Sequence, residues 1–161
     1  MKSTKLYNFK ETLKSGMIKN FEKDGHLTPI VFFFVNNQPI VSLIPPELLS
    51  DQIGKEILGN MIKSFCAQPN VLAGGIIIEA YGAKMDGDGE LAKLVLNGDV
   101  SVSELKEHVD IIIMMFSTPE AEEMIAYEVN CEKHEIGAKF GSEEAKAFGG
   151  TFSKFFNWNR N

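Results

Sequence analysis

A chain of 161 residues with 44% hydrophobic and 24% charged residues has the size and balance of one globular domain, able to bury a core without staples. Sixteen Lys and Arg against 22 Asp and Glu leave a formal charge of -6, and Arg160 is the sole arginine, which argues against nucleic acid or an anionic membrane surface as partner. The apolar runs are far shorter than a bilayer requires, Met1 to Lys5 leads into an amphipathic pattern, and Cys66 and Cys131 lack a disulfide framework spacing, so a cytoplasmic protein with reduced thiols is expected.

Leu6, Phe9, Leu13, Met17 and Phe21 recur at three- and four-residue steps with charged residues between them, which predicts an amphipathic helix closed by Asp24-Gly25. Pro29 forbids further helix. Ile30 to Val35 is a β-branched and aromatic run, and Asn36-Asn37-Gln38 turns it into Pro39 to Ile44, so a β-hairpin is expected with its first strand buried on both faces. Pro45-Pro46 ends that strand and Ser50-Asp51 offers a cap. Ile53, Ile57, Leu58, Met61, Ile62 and Phe65 then keep helical spacing, which predicts a second core helix in which Gly54 and Gly59 permit close packing.

Val71 to Tyr81 reads as a central strand with a bulge or bend near Gly74-Gly75. Residues 82–109 change character: Asp86-Gly87-Asp88-Gly89-Glu90 is turn-rich, and Ser101-Val102-Ser103-Glu104 has capping-box spacing, so an inserted two-helix segment is expected. Ile111 to Phe116 and Met124 to Val129 follow as strands, a turn near Glu132-Lys133 leads into His134 to Phe140, and residues 141–161 form an aromatic-rich C-terminal segment. Residues 1–161 are thus expected to be a single α+β domain. Its sheet is mainly antiparallel with about five strands, two long helices pack on it, and the order is αββαβββ.

Asp24-Gly25-His26-Leu27-Thr28-Pro29 leaving a helix for a strand, together with Ile78-Glu79-Ala80-Tyr81 ending a later strand, resembles small prokaryotic and phage proteins of the same layout. The element order is also similar to roadblock and other profilin-like domains. That likeness concerns the fold and implies no site residues.

Several residue groups carry possible chemistry. Cys131 and His134 form a Cys-x-x-His pair across a turn, but zinc takes three or four such ligands, and only Cys66, His26, His108 and scattered carboxylates remain to complete a set. No metal or other cofactor is therefore expected. A Cys nucleophile with a His base would also need an orienting third group and an oxyanion site, which have no signature here. The acidic turn at Asp86 resembles the start of a calcium loop without its later ligands, and Gly74-Gly75 precedes a strand and so is not a phosphate-binding loop.

Glu79 follows three isoleucines at a strand end, where a buried unpaired carboxylate is costly, so it belongs at the sheet rim. Two residues on, Tyr81 shares its face, and the two could line a small-molecule pocket beside the 82–109 segment. His26, at the helix-to-strand turn, reads as a capping or packing histidine. Phe148, Phe152, Phe155, Phe156 and Trp158 concentrate aromatic surface at the C-terminus, which must fold back on its own sheet or dock on another subunit. With no catalytic constellation in view, the expected function is a non-enzymatic protein-binding or assembly module, self-associating, that uses a sheet edge or the aromatic tail. The alternative is a small-molecule-binding protein or small enzyme using the Glu79 and Tyr81 pocket.

Overall fold

In the computed structural model, residues 4–83, 108–139 and 152–156 are described. The described chain runs α1 (Thr4–Asp24), β1 (Ile30–Val35), β2 (Gln38–Leu43), a 3-10 turn (Pro46–Leu48), α2 (Gln52–Cys66), β3 (Val71–Ala83), β4 (His108–Ser117), β5 (Glu122–Asn130) and β6 (Glu135–Lys139). The strands form one sheet in the order β2-β1-β3-β4-β5-β6, with every neighbouring pair antiparallel. The class is α+β, as the sequence predicts, with six strands in place of five. The extra strand is β6, whose five residues are half-buried or exposed and so lack the apolar alternation that marks a strand.

The sheet is covered on both faces. Phe9, Leu13, Met17 and Phe21, one ridge of α1 at four-residue steps, pack with Phe32, Phe34, Ala73, Ile77, Ile112, Met114, Phe116 and Ile125. On the other face, Leu58, Ile62 and Cys66 of α2 pack with Ile44, Val71 and Ile76, while Phe155 and Phe156 join the same cluster beside Met115, Met124 and Ala126. Two helices on opposite faces explain why the central strands β3 and β4 are continuous apolar runs and do not alternate with polar residues. Buried phenyl, leucyl and isoleucyl side chains of this kind, each contributing roughly 1.5–3 kcal/mol, together outweigh any single polar contact in holding a layer together.

Local signals fall where the sequence places them. Gly25, at φ +73°, closes α1, and its N–H donates to the Phe21 carbonyl at 2.7 Å. Asn36 and Asn37, at φ 51° and 61°, make the two-residue turn whose twist suits a β-hairpin. The Asp51 carboxylate accepts from Gly54 N–H at 2.7 Å to cap α2, and a Cβ at Gly54 would press on the 3-10 turn carbonyls of Glu47 and Leu48 at 3.0 Å, which accounts for that glycine. The β1–β3 register shifts opposite Val71–Ala73, just ahead of Gly74-Gly75, so the expected irregularity sits at the start of β3.

Two expectations differ in detail. β3 continues to Ala83 and β4 begins at His108, so strand occupies both ends of the 82–109 segment. The calcium-like turn at Asp86 and the capping-box spacing at Ser101 lie outside the described residues. In α2, the six apolar residues that predict a core helix split into two ridges: Leu58 and Ile62 are buried, whereas Ile53, Ile57 and Met61 are 71%, 49% and 58% exposed.

Candidate functional site

Two regions bear on function, one polar and one apolar. The polar region lies where β3 ends, β4 begins and β5 ends, beyond the C-terminus of α1. Odd-numbered residues of β3 face α1, as Ala73 and Ile77 show, so Glu79 and Tyr81 lie on that face too. Tyr81 is paired with Asp110, Val129 arrives from β5, and Cys131 follows in the turn just after that strand. Together Glu79, Tyr81, Asp110, Ile111, Val129 and Cys131 border a pocket of about 220 Å³.

The hydrogen bonds show what these groups already do. A Glu79 carboxylate oxygen accepts from the backbone N–H of the buried Leu27, tying the α1–β1 connection to the sheet. His26 Nδ1 lies 3.0 Å from the Asp24 carbonyl and His134 Nδ1 3.2 Å from the Lys23 carbonyl, so both rings satisfy the open C-terminal end of α1. Tyr81 and His108 meet edge to face with ring centroids 4.8 Å apart. Cys131 Sγ lies 3.8 Å from an Asp110 carboxylate oxygen. Partial burial and the charges of Asp110 and Glu79 hold its thiol above the usual range, opposite to the shift an activated nucleophile needs.

Cys131 and His134 therefore serve different neighbours, the first facing Asp110 and the second the end of α1. Among the described residues no group of three or more His, Cys, Asp or Glu side chains is placed to hold a metal ion. Cys66, the last residue of α2, is buried against β3, and burial pushes its thiol up to about 12.

Part of the aromatic tail is described. Phe155 and Phe156 are 2% and 7% exposed and belong to the cluster beneath α2, and Phe152 packs against it half-buried. Glu122 fixes their approach: its carboxylate accepts from the buried Ser117 hydroxyl at 2.7 Å and from Lys154 N–H at 2.8 Å. These phenyl rings are occupied within their own chain. Phe148 and Trp158 lie outside the described residues.

The apolar region is the one the sequence reading missed. All six residues of β2 are exposed, including Ile40 at 44%, Val41 at 53% and Leu43 at 67%. Ile53, Ile57 and Met61 line the outward ridge of α2, which continues at four-residue spacing into Phe65. Phe65 packs on Phe33 of β1 with centroids 4.2 Å apart, while Cys66 sits over Gly74 of β3, where a Cβ would come within 2.6 Å of its sulfur. From Cys66 to Phe65 the helix surface thus moves from β3 toward β1, so the exposed ridge is the flank turned to the β2 side. Ile40 pairs with Phe33 and shares its face, so Ile40, Phe33, Phe65, Met61 and Ile57 are continuous. The pattern Ile53-x-x-x-Ile57-x-x-x-Met61 was visible, but two adjacent ridges of similar hydropathy do not say which one is buried.

The sheet's two edges differ. β6 carries Glu135 and Lys139 at its ends, the charged protection common on edge strands. β2 has no charge, and no Asp, Glu, Lys or Arg occurs between Asp24 and Glu47. Among the described residues, the protection of this edge is Pro39.

The sequence matches no protein-family model, and comparison with curated proteins and with solved structures gives no significant match. No helix among the described residues is long and apolar enough to cross a membrane.

Proposed function

We propose that this chain is a non-enzymatic, cytoplasmic protein-binding module that assembles with copies of itself through the apolar surface of β2 and the outward ridge of α2. One observation carries the reading: six large apolar side chains are each 44% to 71% exposed along the β2 side of the molecule, Ile40, Ile53, Ile57 and Met61 on the α2 face of the sheet and Val41 and Leu43 on the α1 face of the same edge. At roughly 100 Å² each, the four on the α2 face present on the order of 400 Å², within the range of a monomer's largest apolar patch, and the two on the α1 face add about 200 Å² across the strand toward the ~800 Å² per partner of a stable interface. The aromatic tail supports this surface from inside, because Phe155 and Phe156 fill the core on which α2 rests.

The test is the mass of the purified full chain by sedimentation velocity or light scattering between about 1 and 100 µM, a range that brackets micromolar affinities. A mass that is a multiple of 17.9 kDa and falls on dilution supports the module. A monomer throughout refutes it.

The polar pocket favours a second reading, a small-ligand site using Glu79 and Tyr81. Its volume of about 220 Å³ lies below the range of roughly 300–1,000 Å³ usual for ligand pockets, and one Glu79 oxygen is engaged by Leu27. Only a ligand of a few heavy atoms fits that description, which is why this reading ranks second.

A further inference from the structure

We infer that two copies of this chain join edge to edge through β2, antiparallel about a two-fold axis at Ser42, to make one continuous sheet. The inference rests on the self-association proposed above and adds where, and in what register, the copies meet.

Backbone direction in β2 is set by two observed bonds. Ile44 N–H donates to the Pro29 carbonyl at 3.0 Å, so even-numbered residues of this strand turn their backbone groups toward β1. Asn36 N–H donates to the Asn70 carbonyl at 3.1 Å, on the β3 side, as a two-residue hairpin requires. The odd residues Pro39, Val41 and Leu43 therefore turn their backbone groups outward. Pro39 has no N–H, so pairing there is blocked, while Val41 and Leu43 each turn an N–H and a carbonyl outward with no strand partner among the described residues, the Leu43 carbonyl accepting only from the Ser42 hydroxyl at 3.5 Å.

Centring the pair on Ser42 places Val41 opposite Leu43 of the second copy, twice over. All four outward N–H groups then meet outward carbonyls, and four exposed apolar side chains come together on the α1 face. The prolines Pro39 and Pro45 fall opposite one another, outside the bonded stretch. The axis is perpendicular to the sheet, so both α2 helices stay on one face. Strands are about 4.8 Å apart and α2 lies over β1 and β3, so the helix axes would stand roughly 14–19 Å apart. A helix with its side chains is about 10–12 Å wide, which leaves a cleft about one side chain across, walled by Ile57 and Met61 and floored by Ile40 of both copies.

Charge selects a second copy as the occupant. An acidic chain of charge -6 repels itself over most of its surface, but the segment from Gly25 to Pro46 that forms this edge has no charged side chain to oppose its own image. An acidic or basic partner would find no complementary group on the strand.

The test uses the full chain. Ser42 would face its own counterpart at a non-hydrogen-bonded site, where Cα atoms are about 4.5 Å apart, within the range a disulfide spans. In a Cys131→Ser background, Ser42→Cys is expected to form a disulfide-linked dimer under mild oxidation, whereas Gln38→Cys is not. Val41→Pro, which removes an N–H with no strand partner among the described residues, and Leu43→Lys, which adds like charges across the axis, are each expected to weaken association at least ~10-fold with the fold retained by circular dichroism. An oligomer that keeps its mass in both variants and does not cross-link at Ser42→Cys overturns the edge pairing while leaving self-association intact. A monomeric wild type removes both.

Discussion

Replacing Phe155 by alanine tests whether the aromatic tail belongs to its own chain's core. Phe155 is 2% exposed and contacts the cluster that includes Leu58, Ile62, Met115 and Met124. Burying a phenyl side chain of roughly 150–200 Å² at about 25 cal/mol per Å² gives about 4–5 kcal/mol, an upper value because the unfolded chain already hides some surface. Mutational experience for buried Phe→Ala is about 3–5 kcal/mol, and the short described segment 152–156 can settle into part of the cavity, so about 3 kcal/mol is expected. In a domain of this length that lowers the melting temperature by about 6–12 °C. Urea unfolding followed by circular dichroism, with the midpoint and slope fitted separately, measures it. A loss below about 1 kcal/mol together with a drop in oligomeric mass would refute the reasoning, because the ring would then be seated on another subunit.

Other outcomes follow from single contacts. Gly25→Ala is expected to cost about 2–3 kcal/mol in unfolding free energy, since φ is +73° and the new Cβ would lie 2.5 Å from the His134 ring and 2.8 Å from the Cys131 carbonyl; a neutral result would show that the β5–β6 turn yields freely. Glu79→Ala leaves the Leu27 N–H unpaired and should cost about 1–3 kcal/mol, whereas Glu79→Gln keeps an acceptor and should cost less than about 1 kcal/mol; equal losses would mean that the carboxylate charge matters more than the hydrogen bond. Iodoacetamide should label Cys131 slowly at neutral pH and faster as pH rises, and Asp110→Asn should speed labelling near about pH 8 by removing a charge that keeps the thiol protonated. Cys66 should stay unlabelled in the folded chain. Because burial raises its thiol to about 12, the unfolded state loses that proton first, so the Cys66 contribution to stability is present at neutral pH and declines as pH climbs past the ordinary thiol range toward 12, which alkaline denaturation of wild type against Cys66→Ala would detect.

Much of the secondary structure was legible because short-range physics decides it. The four-residue ridge from Phe9 to Phe21 can only bury itself as a helix, Asn36-Asn37 tolerates the left-handed backbone a tight hairpin requires, and Asp51 caps α2 from three residues away. Less of the candidate site was legible. Glu79 was recognisable as a rim carboxylate, but its partner, Leu27, is 52 residues away, and no local pattern points to it. His134 had a sequence neighbour in Cys131, yet its ring turns to the end of α1, 111 residues distant.

Composition and periodicity by themselves determined that this is an α+β chain with a mainly antiparallel sheet and two amphipathic helices. They did so because charge and hydrophobic period are local properties, summed along the chain. Only the tertiary structure decided that the helices lie on opposite faces, that Phe155 and Phe156 complete the core, and that Ile53, Ile57 and Met61 face outward beside β2, the edge strand of the described sheet. Which of two neighbouring apolar ridges a helix buries depends on what the rest of the chain offers it, and in α2 Gly74 and Ile76 of β3 receive Leu58, Ile62 and Cys66 and leave the other ridge free.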